Sequence, residues 1–212
     1  IAGIYFLLPD SKGPDTSYSL KPSAILSSFG SILQHPQFLL YTFSGSVASA
    51  GLYAFISGSP FVFIEFFKVS QQHYGWVFAF VASGLIGSSQ LNSVLLKNYS
   101  SDQIIKAALL FQSTVAVILL GTAIIGIANV YSTIILIFLF LCCQGFIFPN
   151  ASALSMAPFG HNAGNASALM GFIQMSVGAL MSAMVSVFHN NTILPMTGVM
   201  VSRLAAVRTA GT

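Results

Sequence analysis

Charged residues are scarce in this sequence. Seven Lys or Arg and four Asp or Glu are found among 212 residues, so charged types make up 5%, against about 25% in soluble domains. Hydrophobic types reach 55%, and the mean hydropathy is +0.84. So few charges cannot cover the surface of a soluble domain, and so hydrophobic a chain does not stay disordered. The composition therefore predicts an integral membrane protein.

Cysteine is also scarce, and the basic residues are scattered rather than clustered. Cys142 and Cys143 are adjacent within an apolar run, so they neither cross-link the fold nor have the spacing of a metal site. The net charge of +3, without a basic patch, argues against a nucleic-acid partner. The first residues lack the basic region of a signal peptide. We therefore expect no metal, no cofactor and no nucleic acid.

Long apolar runs predict transmembrane helices, because crossing roughly 30 Å of hydrocarbon takes about 20 apolar residues. Five runs are complete, too long for strands and too uniformly apolar for helices of a soluble protein. A sixth begins at Leu194 and meets Arg203 about 13 Å further along. Either Arg203 is functional or, as we prefer, this last helix is incomplete or altered near Val201. The predicted spans are Phe38–Ser59, ended by Pro60, then Gly75–Leu96, Gln103–Ile127, Tyr131–Met156 and Asn165–Phe188.

The segments before the first span complete the predicted organisation. Residues 1–8 are too short to span and are predicted to end a preceding helix, so the chain is expected to be a fragment. Residues 9–37 are the long polar stretch and are predicted to be a loop outside the bilayer. Within it, Lys21 to Gln34 is predicted to be an interfacial helix, because Pro22 suits a first turn and one face is apolar. The remaining segments are the transmembrane bundle, 38–208, and a tail, 209–212.

The distribution of lysines predicts the orientation, since Lys and Arg favour cytoplasmic loops. The side of the bundle that carries the 9–37 loop has several lysines, whereas the opposite side keeps only Lys68, beside Glu65. The 9–37 loop and the C-terminal tail are therefore predicted to face the cytoplasm. The lysines of that side are Lys12, Lys21, Lys97 and Lys106.

The predicted complete spans hold no ionisable side chain at mid-depth. Because intramembrane ionisable groups mark proton relays, any proton coupling is expected elsewhere. Ser57 has no His within a span to activate it, which argues against an enzyme. A stripe of small residues, Gly178, Ser182 and Ser186, is interpreted as helix packing.

Uncharged amides in the spans must face another helix or a water-filled cavity. Interhelical hydrogen bonds and a translocation path both remain open interpretations. The candidates for a substrate path are Tyr53, Phe55, Gln144, Asn150 and Gln174.

Five motifs occur in order along the chain: SGSPFVFIE at 57–65, YGWVFA at 74–79, GSSQLN at 87–92, GFIFPNA at 145–151, and GHNAGNASAL at 160–169 followed by GFIQ. Together they resemble the Bcr/CflA subfamily of drug-resistance transporters in the major facilitator superfamily. The resemblance covers roughly Phe38 to Met200.

The resemblance implies an all-α membrane protein, the C-terminal six-helix half of a twelve-helix major facilitator fold. It implies a fragment of a proton-coupled exporter of drugs or small lipophilic molecules that works by alternating access in the bacterial inner membrane. Its partners would be the lipid bilayer, a small-molecule substrate, protons and the missing N-terminal half. The alternative is a non-transporting six-helix scaffold or channel-like subunit. The gating and loop candidates are Lys97, Asp102, Gly160, His161 and Gly164.

Overall fold

The computed structural model describes residues 22–160, 162–188 and 192–201, and these residues form helices without a β-strand. Five of the described helices are long and apolar enough to cross a membrane. The predicted all-α membrane fold class is thereby confirmed. The helices are α1 (Pro22–Leu33), α2 (Pro36–Pro60), α3 (Gln71–Leu95), α4 (Ser101–Ile125), α5 (Val130–Met156), α6 (Ala163–Val187) and α7 (194–201).

Several sequence predictions fall outside the described residues. They are the helix end at 1–8, the first part of the loop up to Lys21, the site of Arg203 and the tail at 209–212. The interfacial helix predicted within the loop corresponds to α1. Its position at the membrane surface stays a prediction, as do the boundaries of the segments.

Polar caps define where the spans begin and end. Ser100 starts α4 with a capping box, in which its hydroxyl accepts from the Gln103 N–H and the Gln103 side chain accepts from the Ser100 N–H. Asn129 starts α5 in the same way with Ser132. Gly126 ends α4 in the left-handed conformation, with a φ of 77°. The local sequence therefore determines these boundaries.

Pro60 does not end the first span, contrary to the prediction from sequence. α2 continues into a π-helical stretch, Phe61–Phe66, and the combined segment is 31 residues long. Proline removes one backbone donor. The wider π turn re-pairs the chain one residue further along, and the Phe67 N–H donates to the Val62 carbonyl at 3.0 Å. The span ends at Phe66, and Lys68, two residues further on, has a φ of 57°.

α2 and α5 form the centre of the bundle. α2 packs along α6 and α5, and α5 also packs along α3 and α4. α3 and α4 follow each other in the chain, yet both pack mainly on α5 rather than on each other. α7 closes one end of the main apolar cluster through Met196 and Met200. The largest buried side chains of that cluster include Phe55, Phe63, Leu119, Ile137 and Phe140.

Gly145 allows the close crossing of α5 and α3. A Cβ atom at this position would lie 2.5 Å from the carbonyl oxygen of Leu85 and 2.9 Å from the backbone nitrogen of Ser89. Backbone atoms cannot move aside as a flexible side chain can. Small residues at helix crossings are the main device by which transmembrane helices approach closely. The α3–α5 contact therefore depends on glycine here.

We expect Gly145→Ala to destabilise the protein by about 1–3 kcal/mol, because the added methyl group forces α3 and α5 apart. The matched control is Gly121→Ala on α4, where no described atom lies within 4 Å of the added carbon. The control should be neutral or stabilising by up to about 1 kcal/mol. Unfolding of the purified variants in detergent measures both. Equal stability of the two variants would contradict the proposed role of Gly145.

Candidate substrate path and loops

Gln144 lies at the buried contact between α5 and α2. Its side chain is 1% exposed, and its Nε2 donates to the Ser49 hydroxyl at 2.7 Å. Its Oε1 is buried and has no hydrogen-bond partner among the described residues. Leaving such an acceptor unpaired costs about 1–3 kcal/mol. Gln144 is therefore only half satisfied by the helices around it.

Gln174 approaches the same helix. It projects from α6 toward Gly45, and its Nε2 lies 3.8 Å from the position that a Cβ of Gly45 would take. Gly45 and Ser49 are four residues apart on α2, so they are separated by one turn, about 6 Å. The two glutamines thus reach α2 within one turn of each other.

Polar contacts continue along α2 and α6 beyond Gln174. The Tyr53 ring packs over Gly178, where a Cβ would lie 2.6 Å from the ring, and its hydroxyl contacts the Met175 sulfur at 3.4 Å. The Ser182 hydroxyl donates to the Tyr53 carbonyl at 3.4 Å, and the Ser57 hydroxyl lies 3.5 Å from the Ser182 carbonyl. We call Gln174, Tyr53, Ser182 and Ser57 the α2–α6 polar seam.

The α2–α6 polar seam ends at a cavity of about 250 Å³ between α2, α6 and α7. Hydroxyl groups of Ser57, Ser186 and Thr192 line it together with apolar side chains such as Phe61 and Met196. Ser182 and Ser186 belong to the stripe that the sequence assigned to packing alone. The four-residue spacing was visible in the sequence. The helix that the stripe contacts could not be predicted from the sequence, because it depends on where α2 lies.

Phe55 and Asn150 lie away from the seam, against α3. Phe55 is 2% exposed and stacks on Phe78 with the ring centroids 5.6 Å apart. Asn150 donates through Nδ2 to the Asn92 side-chain oxygen at 2.6 Å and to the Phe146 carbonyl at 2.8 Å. The structure therefore places Tyr53 and Gln174 at the contact between α2 and α6, and Gln144 at the adjoining contact between α2 and α5. It does not bring Phe55 and Asn150 to the same place.

Asp102 joins α4 to α2 at one end of the bundle. It pairs with Lys106 at 2.6 Å, and the Tyr41 hydroxyl donates to its Oδ1 at 3.2 Å. Lys97 lies exposed in the turn that follows α3. Of the two charged gating candidates, Asp102 has partners that link two spans, whereas the described residues give the Lys97 side chain no hydrogen bond or ion pair.

The loop between α5 and α6 lies at the same end and holds α1. Side-chain amides of Asn162 and Asn165 donate to the Ser28 hydroxyl of α1, and the His35 ring meets Phe159 edge-on at 5.3 Å. Ile32 is fully buried there. Nothing in the sequence singled out Ser28, which lies 134 residues from Asn162.

The remaining loop candidates are two glycines and His161. At Gly160 and Gly164 a Cβ atom would meet no described atom within 4 Å, and His161 lies outside the described residues. Among the described residues, no group of His, Cys, Asp and Glu has the arrangement of a metal site. A gating role for Gly160, His161 and Gly164 stays a prediction.

Two curated proteins match the chain, while no family model does. The uncharacterized MFS-type transporter YdgK of Bacillus subtilis is 26% identical over 182 residues, which is 84% of this chain and 45% of that protein. The bicyclomycin resistance protein homolog of Haemophilus influenzae is 25% identical over 193 residues, 91% of this chain and 48% of that protein. The chain therefore spans about half the length of the curated relatives it matches.

These matches confirm the resemblance to the Bcr/CflA type of major facilitator transporter that the motifs indicated. With five helices long enough to cross a bilayer, the chain is a multi-pass membrane protein whose homologues are transporters. These homologues are MFS transporters, which are not enzymes.

We expect the Asn92–Asn150 pair to stabilise the α3–α5 contact without any part in ligand binding. A double-mutant cycle with Asn92→Ala and Asn150→Ala should give a coupling of about 0.6–1.7 kcal/mol in unfolding free energy, the range for interhelical hydrogen bonds. As a control, Asn150→Ala combined with Thr114→Ala should be additive, because the Thr114 hydroxyl bonds only within its own helix. An additive Asn92–Asn150 cycle would show that the pair contributes nothing.

Proposed function

We propose that this chain is one half of an exporter that moves small lipophilic molecules out of the bacterial cytoplasm across the inner membrane. The proposal rests chiefly on the α2–α6 polar seam, a line of uncharged polar groups that leads through an apolar bundle to a cavity. The relatives support it, since one is an MFS-type transporter and another is a bicyclomycin resistance protein homolog.

The chemistry of the seam favours a neutral or lipophilic substrate. Its groups are one amide, one phenol and two hydroxyls, and none of them carries a charge. Pockets of this kind select by shape and by a few polar groups placed in apolar surroundings. The unpaired Oε1 of Gln144, one helix away, offers an acceptor to a substrate or to water. An anion or a metal ion would find no counter-charge in the seam.

Alternating access would place this seam at the interface with a second six-helix bundle. Transporters with repeated halves bind substrate near the middle of the bilayer and rock one half against the other. The described acidic residues, Glu65 and Asp102, lie at helix ends, so proton transfer at mid-depth would be carried by the other half. A non-transporting scaffold would need neither the seam nor the cavity.

Transport by the complete protein in vesicles with an imposed pH gradient tests the proposal. We expect Gln174→Leu and Gln144→Leu to raise the half-saturating concentration of a lipophilic dye about two- to tenfold, since one hydrogen bond contributes about 0.5–1.5 kcal/mol. The matched control is Gln112→Leu on α4. That glutamine is equally buried but donates to the Phe140 carbonyl on the far side of α5.

Each outcome decides between specific alternatives. If Gln112→Leu alters dye transport as strongly as the other two, the changes report packing and the site assignment fails. If efflux does not depend on the pH gradient, proton coupling is wrong. If the complete protein moves none of the dyes tested, the scaffold interpretation replaces the exporter.

A further inference from the structure

A second cavity lies between α3 and α4 and is unrelated to the α2–α6 polar seam. It arises because both helices pack on α5 and leave a gap between themselves. The gap has a volume of about 370 Å³. Leu95 of α3 and Phe111 of α4 form its walls, and Leu139 and Cys142 of α5 form its floor. We call it the α3–α4 groove.

The α3–α4 groove is apolar along its length and runs inward from the end of the bundle that carries Asp102. Gln103 and Phe111, both lining residues, are eight residues apart on α4, which corresponds to about 12 Å. One leaflet of the hydrocarbon core is about 15 Å deep. The groove therefore crosses most of one leaflet. Phe111 is 51% exposed, so the groove is open to the surrounding lipid.

Polar donors border the outer end of the groove. Tyr99 lines the groove and is 56% exposed. Gln103 uses its Oε1 to accept from the Ser100 N–H, which leaves its Nε2 as a donor. Lys97 lies two residues before Tyr99 in the same turn. Tyr99 and Gln103 thus give this end of the groove a phenol and an amide donor, and the chain places the exposed Lys97 two residues from Tyr99.

The acidic side chain nearest in sequence does not cancel this positive character. Asp102 is paired with Lys106 at 2.6 Å and accepts from Tyr41 at 3.2 Å. Its charge is already balanced within the protein. The outer end of the groove therefore favours an anion, and its interior favours a hydrocarbon chain.

We propose that the α3–α4 groove binds a phospholipid. One acyl chain lies between α3 and α4 on the floor formed by α5, and the phosphate meets Lys97, Tyr99 and Gln103. This arrangement places each part of the lipid against groups of matching chemistry, with the phosphate held by positive charge and hydrogen-bond donors. The bound lipid fills the space that α3 and α4 leave open and connects them at the membrane surface.

The test uses the protein in vesicles that contain a phosphatidylglycerol with a photoreactive group in the middle of one acyl chain. Crosslinks should concentrate on Leu139 and Cys142, which are partly buried at the bottom of the groove. They should be fewer on Leu110, which is 75% exposed on the outer side of α4. Bulk lipid alone would give the opposite order, because it reaches the exposed residue first, and that result would overturn the proposal.

Two pairs of variants separate the acyl-chain contact from the headgroup contact. Ala107→Phe fills the groove from an exposed position and should reduce crosslinking several-fold, whereas Val117→Phe, outside the groove on the same helix, should not. Lys97→Gln should lower the preference for phosphatidylglycerol over phosphatidylcholine about fivefold, as expected for one basic residue at an anionic surface. Lys68→Gln, at the opposite end of the bundle, should leave it unchanged.

The variants must keep the melting temperature of the parent protein, which confirms that their folds are intact. Unchanged crosslinking in Ala107→Phe would show that no acyl chain occupies the groove. Unchanged lipid preference in Lys97→Gln would show that the phosphate is bound elsewhere. Labelling of the groove by a photoreactive alkane that phosphatidylglycerol does not compete away would assign it to lipophilic molecules instead.

Discussion

α5 packs along three of the other four spans, and the arrangement of the bundle depends on how closely it approaches them. Within a bilayer, lipid tails are as apolar as the helices, so burial of hydrophobic surface does not drive helices together. Close packing and interhelical hydrogen bonds must do so. Gly145 lets α5 lie against the backbone of α3. The Phe140 ring of α5 packs on Gly51 of α2, where any Cβ atom would overlap the ring. The positions of α2 and α3 follow from these two contacts.

The polar side chains of the spans divide into two kinds once α5 is placed. Asn150 with Asn92, and Gln112 with the Phe140 carbonyl, connect α5 to the helices on its outer sides. These groups hold helices together. Gln144 and Gln174 instead face α2. The Oε1 of Gln112 is unpaired as well, so the position of Gln144 and Gln174 against α2, rather than an unpaired acceptor, separates them from the amides that hold α5 to its outer neighbours.

The sequence was sufficient to predict the five spans because length and hydropathy are local properties. Caps such as Ser100 and Asn129 are local features too, because each lies within the turn that it starts, but they were not singled out from the sequence. Pro60 was misjudged because its effect depends on whether the backbone can re-pair through a π turn, which a single residue type does not reveal. The face of each polar residue could not be predicted either. A helix that is apolar all round has no periodic pattern to orient it, so Tyr53 and Phe55, two residues apart, were grouped although they face different helices.

The contact between α1 and the loop before α6 adds a connection that no local pattern predicts. Ser28 accepts hydrogen bonds from two asparagines that begin α6, and Ile32 is buried against Ala166 and Leu169 of the same helix. α6 carries Gln174 and Ser182 of the polar seam, so α1 is attached to the helix that forms one side of the proposed path. In an alternating-access cycle, a shift of α6 against α2 would have to carry α1 with it or break these bonds. The segment that enters the first span is therefore mechanically connected to the helix that borders the path.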